Sequence, residues 1–225
     1  MSVRLRITNA FGERKIPSES VPPKDVYIIS IAGEGKTEEQ YFDGIKTMST
    51  GNTIWIDRLK KTDETDTKSH PNYVIELLDE RRKYWEEHGA RADELWMVID
   101  RDAQNVNQEQ LNEIITQCKQ KDYKLAISNP TFELWLLLHI TNIDNYNYQT
   151  LLSNPKPSAK SKKRYLDKLI TELTGGYKKS KLNFSKFEHG INDAISRAKE
   201  LPIDNNSLLN KLGTSVCLLV EKIIS

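Results

Sequence analysis

The sequence predicts an α/β protein: a mostly parallel sheet flanked by helices, with a helical and basic C-terminal extension. Three observations carry that prediction. Two near-continuous apolar runs, Val26–Ile31 and residues 95–99, have the length and composition of strands buried on both faces. Amphipathic stretches at helical spacing separate the strand-like runs, an alternation expected of right-handed βαβ units. Beyond about residue 141 the strand signal fades, and helical patterns continue among many lysines.

Taken in order, residues 1–24 are polar, with Pro17, Pro22 and Pro23, and read as an arm before the first strand. The first strand is bounded by Gly33 and Gly35. Residues 37–48 follow as a helix with Tyr41, Phe42 and Ile45 on one side. Residues 53–59 alternate as a strand, and residues 62–69 form a polar loop. Pro71 opens a helix running through Tyr73, Val74, Leu77, Leu78 and Tyr84. After the strand at 95–99, Leu111, Ile114, Ile115 and Cys118 mark a helix over 107–119. A short strand at 124–127 leads to an apolar helix over 131–139, with Pro130 placed as its first residue. Residues 142–160, rich in Asn, Ser, Pro and Lys, read as a linker or surface insertion. Helices are predicted at 166–173, 191–198 and 208–224. The chain divides accordingly into an arm (1–24), an α/β core (25–141) and a basic linker with a helical region packing on that core (142–225).

At 225 residues, with 37% hydrophobic and 29% charged residues, the chain can bury a sizeable core. No run approaches the ~18 apolar residues of a membrane span. Residues 1–6 carry charge without the apolar segment of a secretory signal. Cys118 and Cys217 read as small core residues of a reducing compartment rather than as a disulfide, which predicts a cytoplasmic location. The net charge of +1 hides an asymmetry: residues 151–190 hold ten Lys or Arg against three acids, +7, which leaves −6 elsewhere. Such a block suits a polyanionic partner such as nucleic acid, and equally a solvated lysine-rich face.

Four carboxylates stand where a metal-dependent phosphoryl-transfer site needs them. Glu34 follows the first buried strand, and Asp100 and Asp102 follow the strand at 95–99. Acids at the carboxyl ends of strands line the crevice where open α/β sheets bind ligands. Oxygen-only ligands suit Mg²⁺ or Mn²⁺. If the strand geometry persists, Asp100 and Asp102 project to one side, ~7 Å apart at their backbones, and Arg101 points away. Glu34 is placed to ligate a metal or shuttle a proton. For Glu133 two roles stand side by side: a carboxylate stabilising a helix N-terminus, or a fourth metal ligand. His139 reads first as a satisfied core histidine and second as a substrate contact. Lys36 is a candidate phosphate contact at a helix start. Residues 33–37, Gly-Glu-Gly-Lys-Thr, invite a phosphate-loop reading, but Ser30 stands where G-x-x-x-x-G-K-[ST] needs its first glycine. Glu34 would also push negative charge into such a phosphate cradle. A nucleotide hydrolase is therefore only a third reading.

The stretch from Ile31 to Glu38 followed by Tyr41-Phe42, the run Ile99-Asp100-Arg101-Asp102, and the segment from Ser128 to His139 resemble the signatures of the RloB-like family, in order. Leu212-Gly213-Thr214-Ser215-Val216 resembles its closing motif. The resemblance covers roughly residues 25–222. It implies a Toprim-like fold, in which a glutamate after the first strand and an Asp-x-Asp after a later one bind Mg²⁺. It also implies a Toprim-type endonuclease acting on DNA or RNA in bacterial anti-phage defence, by abortive infection, beside an ATPase partner. On that reading Glu34, Asp100 and Asp102 are catalytic, water is the nucleophile, and Lys178, Lys179 and Lys181 contact phosphates. The competing class is a non-catalytic binding or regulatory subunit of a defence complex with the ATPase.

Overall fold

A computed structural model describes residues 25–32, 35–49, 51–58, 71–88, 92–102 and 107–225. The expected arm (1–24), the polar loop (62–69), Gly33 and Glu34 lie outside the described residues.

Five strands form one sheet in the order β2-β1-β3-β4-β5. They are β1 (Val26–Ile31), β2 (Thr53–Arg58), β3 (Glu94–Asp100), β4 (Lys124–Asn129) and β5 (Gly213–Thr214). The first four are mutually parallel, and β5 is antiparallel to β4. The chain steps from β1 outward to β2 and then returns to the other side of β1 as β3. The carboxyl ends of β1 and β3 therefore flank the point where the strand order reverses, the usual ligand crevice of such sheets.

Alternation along the strands decides which helices lie on which face. Tyr27, Ile29 and Ile31 of β1 pack with Trp96, Val98 and Ala126. The same core takes in α1 (Lys36–Met48), α4 (Glu133–Ile140), α5 (Tyr148–Ser153), α6 (Tyr165–Thr174), α7 (Ile191–Lys199) and α8 (Val216–Ile224). Ile28, Leu95, Met97, Ile99, Leu125 and Ile127 face the other way, onto α2 (Pro71–Glu87) and α3 (Gln108–Lys121). Asn107 opens α3 with a reciprocal capping box to Gln110, which satisfies two amides that a helix start leaves open. Both cysteines are free and buried, one in each core.

Three expectations are corrected. Pro130 is not the first residue of α4, which begins at Glu133. The carbonyls of Ser128 and Pro130 still accept from the Arg101 and Asp102 amides, so this segment extends the β3–β4 ladder before it turns. Residues 208–224 are not one helix. A 3-10 turn (Ser207–Leu209) and β5 precede α8, because Ser215 exchanges hydrogen bonds with the Ile127 backbone and Ser128 with the Thr214 hydroxyl. Residues 142–160 are no mere linker: they include α5 with its buried Leu151, and buried Asn154 accepts from the Leu166 amide at the start of α6.

Gly190, just before α7, lies against the end of α4. A Cβ there would sit 2.1 Å from the His139 carbonyl oxygen, a backbone atom with no rotamer to yield. Gly190→Ala is expected to cost about 1–3 kcal/mol through overpacking, lowering the melting temperature by roughly 2–10 °C for a chain of this size. Gly51→Ala, where a Cβ meets nothing within 4 Å, serves as the control, and equal shifts for the two in a thermal melt would refute the clash.

Candidate active site

β3 delivers its acids as the alternation requires. The ladder beyond Ile99 continues through the Arg101 and Asp102 amides, which keeps Asp100 and Asp102 on the face carrying Trp96 and Val98. Arg101 turns to the other face, where its Nε donates to the Leu209 carbonyl at 3.0 Å. Burial pulls its pKa down and the neighbouring Asp102 charge opposes that pull. On the acid face, Asp102 Oδ2 lies 3.9 Å from the Arg164 guanidinium.

Glu133, at the start of α4, is buried beneath the same face. Its Oε1 accepts from the Tyr177 hydroxyl at 2.9 Å and takes the Lys179 ammonium at 2.9 Å. Lys179 also lies 3.4 Å from Asp167. The lysine side chain is 51% exposed and the glutamate side chain 4%, so the ammonium closes the cluster from the solvent side. Burial alone would push the Glu133 carboxyl up; the Lys179 charge and hydrogen bonds outweigh it and hold Glu133 below its ordinary range. The reverse holds at Asp100, which burial and then the charges of Glu38 and Glu133 push well above the usual aspartate range. Glu38, in the first turn of α1, is pushed by burial and by Glu133 up to about 7. Asp167 is raised too, by burial first and then by the Glu133 charge. Burial, with crowded carboxylates sharing one lysine, explains all four directions.

The lysine-bearing segment is fastened to α1. Thr37 Oγ1 donates to the Lys179 carbonyl at 2.8 Å and Gln40 Nε2 to the Ser180 carbonyl at 3.0 Å, while Gln40 Oε1 accepts from the Leu182 amide. Phe184 fills the space that a side chain at Gly44 would take. Beyond Tyr177, a groove of about 620 Å³ is bordered by Lys163, Lys178, Lys181 and Lys186. Lys36 is exposed at the start of α1. His139 is buried, with Nδ1 on the Trp135 carbonyl at 2.8 Å and Nε2 on the Tyr41 hydroxyl at 3.0 Å. The carbonyl can only accept, so Nδ1 carries the proton and Nε2 accepts; burial lowers the ring pKa to about 4 and keeps it neutral.

The structure thus brings Asp100, Glu133 and Lys179 together and sets Asp102 beside Arg164. It leaves His139 in the core and Lys36, Lys178 and Lys181 at the surface. Sequence reasoning missed Glu38, Tyr177 and Asp167. Glu38 had a signal, since it is an acid four positions after Glu34 in the sequence and in the first turn of α1. Tyr177 and Asp167 had none, being brought in by tertiary packing alone. Among the described residues, no three Asp, Glu, His or Cys side chains converge tightly enough to hold a metal ion by themselves. Also among them, no helix is long and apolar enough to cross a membrane.

A family model described as RloB-like protein matches residues 29–223. No curated protein matches the chain.

Proposed function

The chain belongs to the RloB-like family, and from that premise we propose that it is a Mg²⁺-dependent Toprim-type endonuclease hydrolysing phosphodiester bonds of nucleic acid in bacterial anti-phage defence. The observation that carries this reading is the crowding of Asp100, Glu38 and Glu133 at the carboxyl end of β3, where strand order reverses. Carboxylates that raise one another's pKa are an unfavourable arrangement in a purely structural role, and a hard dication relieves it. The donor set fits such an ion, being made of oxygens throughout. Asp100 and Asp102 would hold it, together with Glu34, which the sequence places between β1 and α1. When bound, Mg²⁺ polarises the phosphodiester and neutralises charge on the departing oxygen.

The chain's own groups do the rest. Glu38, a carboxylate beside Asp100, is placed for proton exchange with the attacking water. Lys179, fixed by Glu133 and Asp167, supplies a positive charge beside Asp100 for a phosphate oxygen. Glu133 is then the anchor of that lysine rather than a fourth ligand. The lysine-bordered groove suits a nucleic-acid backbone without reading its sequence. An ATP-driven step would fall to a partner ATPase.

One observation favours the alternative, a non-catalytic subunit of a defence complex: Lys179 already neutralises part of the cluster with no metal needed. Cleavage assays decide between them. Wild type and Glu34→Ala are incubated with tRNA, single-stranded DNA and duplex DNA, with Mg²⁺, Mn²⁺ or chelator, alone and with a neighbouring ATPase. The nuclease reading expects metal-dependent cleavage reduced about 10²–10⁴-fold in the variant. Cleavage that survives chelator or the substitution rejects this site, and no cleavage in any arm favours the subunit.

A further inference from the structure

The groove beside Tyr177 holds a charge arrangement that the cleavage chemistry does not use. Of the four lysines on its border, Lys163 and Lys186 have fixed ammonium groups. Lys163 Nζ donates to the Thr171 hydroxyl at 2.8 Å and to the Tyr177 carbonyl at 3.3 Å. Lys186 Nζ donates to the Thr174 carbonyl at 2.8 Å and to the Gly176 carbonyl at 3.1 Å. The two charges therefore sit on the carbonyls of adjacent residues, just after the turn in which Gly175 and Gly176 both take positive φ. An ammonium has three donors, and each of these two spends two of them on protein oxygens. Among the described residues, none of Lys163, Lys178, Lys181 and Lys186 pairs with a carboxylate. Neutral donors would staple the turn as well; full charges without counter-ions add an attraction for anions.

The second property of the groove is apolar. Its wall is largely carbon, with half-buried Leu182 among the lining residues. A charged rim over an apolar wall suits a polyanion that also carries flat apolar faces. An unpaired nucleic-acid strand has both, because its bases are free to leave one another and lie on the protein. A duplex turns its bases inward and offers such a wall nothing. Position then ties the groove to the acid cluster. Tyr177 gives its carbonyl to Lys163 on the groove side and its hydroxyl to Glu133 Oε1 at 2.9 Å in the cluster. Lys179, two residues on and at most ~7 Å of chain away, reaches Glu133 itself.

We propose that this groove binds a single-stranded segment of nucleic acid, with Lys163 and Lys186 on its phosphates and the apolar wall against its bases. That the bound strand is a substrate led toward Asp100 rests on the nuclease reading; the strand-binding chemistry does not. Lys163 and Lys186 touch phosphates away from the reacting bond, so they hold substrate and transition state alike. They set KM and leave kcat unchanged.

The test uses the full chain in chelator, where binding is read apart from cleavage. A fluorescent oligothymidylate of about twelve nucleotides, within the usual span of a single-strand site, is titrated by anisotropy across a salt series. The double variant Lys163→Gln, Lys186→Gln keeps a neutral donor at each position. Its affinity at ~0.15 M salt is expected to fall about tenfold, and its log–log salt slope by about 1.4, at ~0.7 per contact. Lys163→Arg with Lys186→Arg should keep the wild-type slope. Lys119→Gln, exposed on α3 across the sheet, is the control and should change neither quantity. If the double Gln variant melts early, the single variants decide, each lowering the slope by about 0.7. A duplex of the same length, and an abasic strand of the same charge, should each bind about fivefold more weakly or worse. An unchanged slope in the Gln variants, or equal binding of the abasic strand or the duplex, overturns the proposal. Where cleavage is seen, the double Gln variant should raise KM about tenfold at constant kcat; a fall in kcat at constant KM also overturns it. Strand binding on these lysines without cleavage in any assay rejects the nuclease and leaves the groove standing. Metal-dependent cleavage indifferent to both lysines does the opposite.

Discussion

Asp100→Asn is expected to raise the melting temperature of the metal-free protein while removing metal-dependent cleavage by about 10²–10³-fold or more. The side chain keeps its shape and loses the charge that Glu38 and Glu133 oppose. A residue that is worse for the fold than its neutral isostere is the signature of a site built for a cation absent from the apo chain. The pH dependence follows from the direction of the shifts. Asp100 and Glu38 have folded-state pKa values above their ordinary ones, so the stability linked to them is fully present below about pH 4 and is lost as pH rises through the folded values. For Glu38 that window runs from 4.5 to about 7, a loss on the order of 3 kcal/mol. Glu133 is shifted the other way, and its contribution is present above its ordinary pKa and disappears in acid. Thermal melts in chelator should therefore show wild type losing stability from pH 5 to 8, with a shallower decline in Asp100→Asn. Saturating Mg²⁺ at pH 8, at about 100 times Kd, should restore about 2.7 kcal/mol, roughly 5–10 °C. If Asp100→Asn destabilises the apo protein, or if Mg²⁺ stabilises both proteins equally, Asp100 is not a ligand.

Glu133→Ala is the second large effect. It strands the buried Tyr177 hydroxyl and leaves Lys179 with Asp167 alone. Removing one partner of a buried ion pair costs about 3–5 kcal/mol, but the Lys179 head is half in solvent, so about 2–3 kcal/mol is expected here. A double-mutant cycle with Lys179→Met separates the pair from its surroundings. Unfolding in urea should give a coupling energy of about 1–2 kcal/mol, and both single variants should lose cleavage to a similar extent. Additive losses would mean that the Glu133–Lys179 contact does not hold the site together.

Local rules made the sheet and its helices legible in the sequence. Buried runs such as Val26–Ile31 and the spacing of Leu111, Ile114 and Cys118 leave few alternatives to the elements observed. β5 was invisible because a two-residue strand has no periodicity; side-chain bonds from Ser128 and to Ser215 fix it, not propensity. Pro130 misled because a proline before an acidic, apolar stretch has the same appearance whether it opens a helix or ends a strand. In the site, Asp100 and Asp102 were readable from strand parity alone. The pairing of Glu133 with Lys179 was not, since they stand 46 positions apart in the chain and nothing local to either names the other. The lysine block had the opposite problem: its charge was obvious, but Lys179 differs from Lys178 and Lys181 only in where the fold puts it.

The fastening of Lys179 to Thr37 spans 142 residues, and that span has a meaning in time. A ribosome adding ~5–20 residues per second needs roughly 7–30 s between emergence of the two ends of that contact. During that interval the acids of β3 have been synthesised, but the lysine that organises them has not. A nascent or truncated chain that stops before residue 179 therefore carries carboxylates without their organiser. Synthesis through residue 179 is itself the step that supplies the last charge of this cluster.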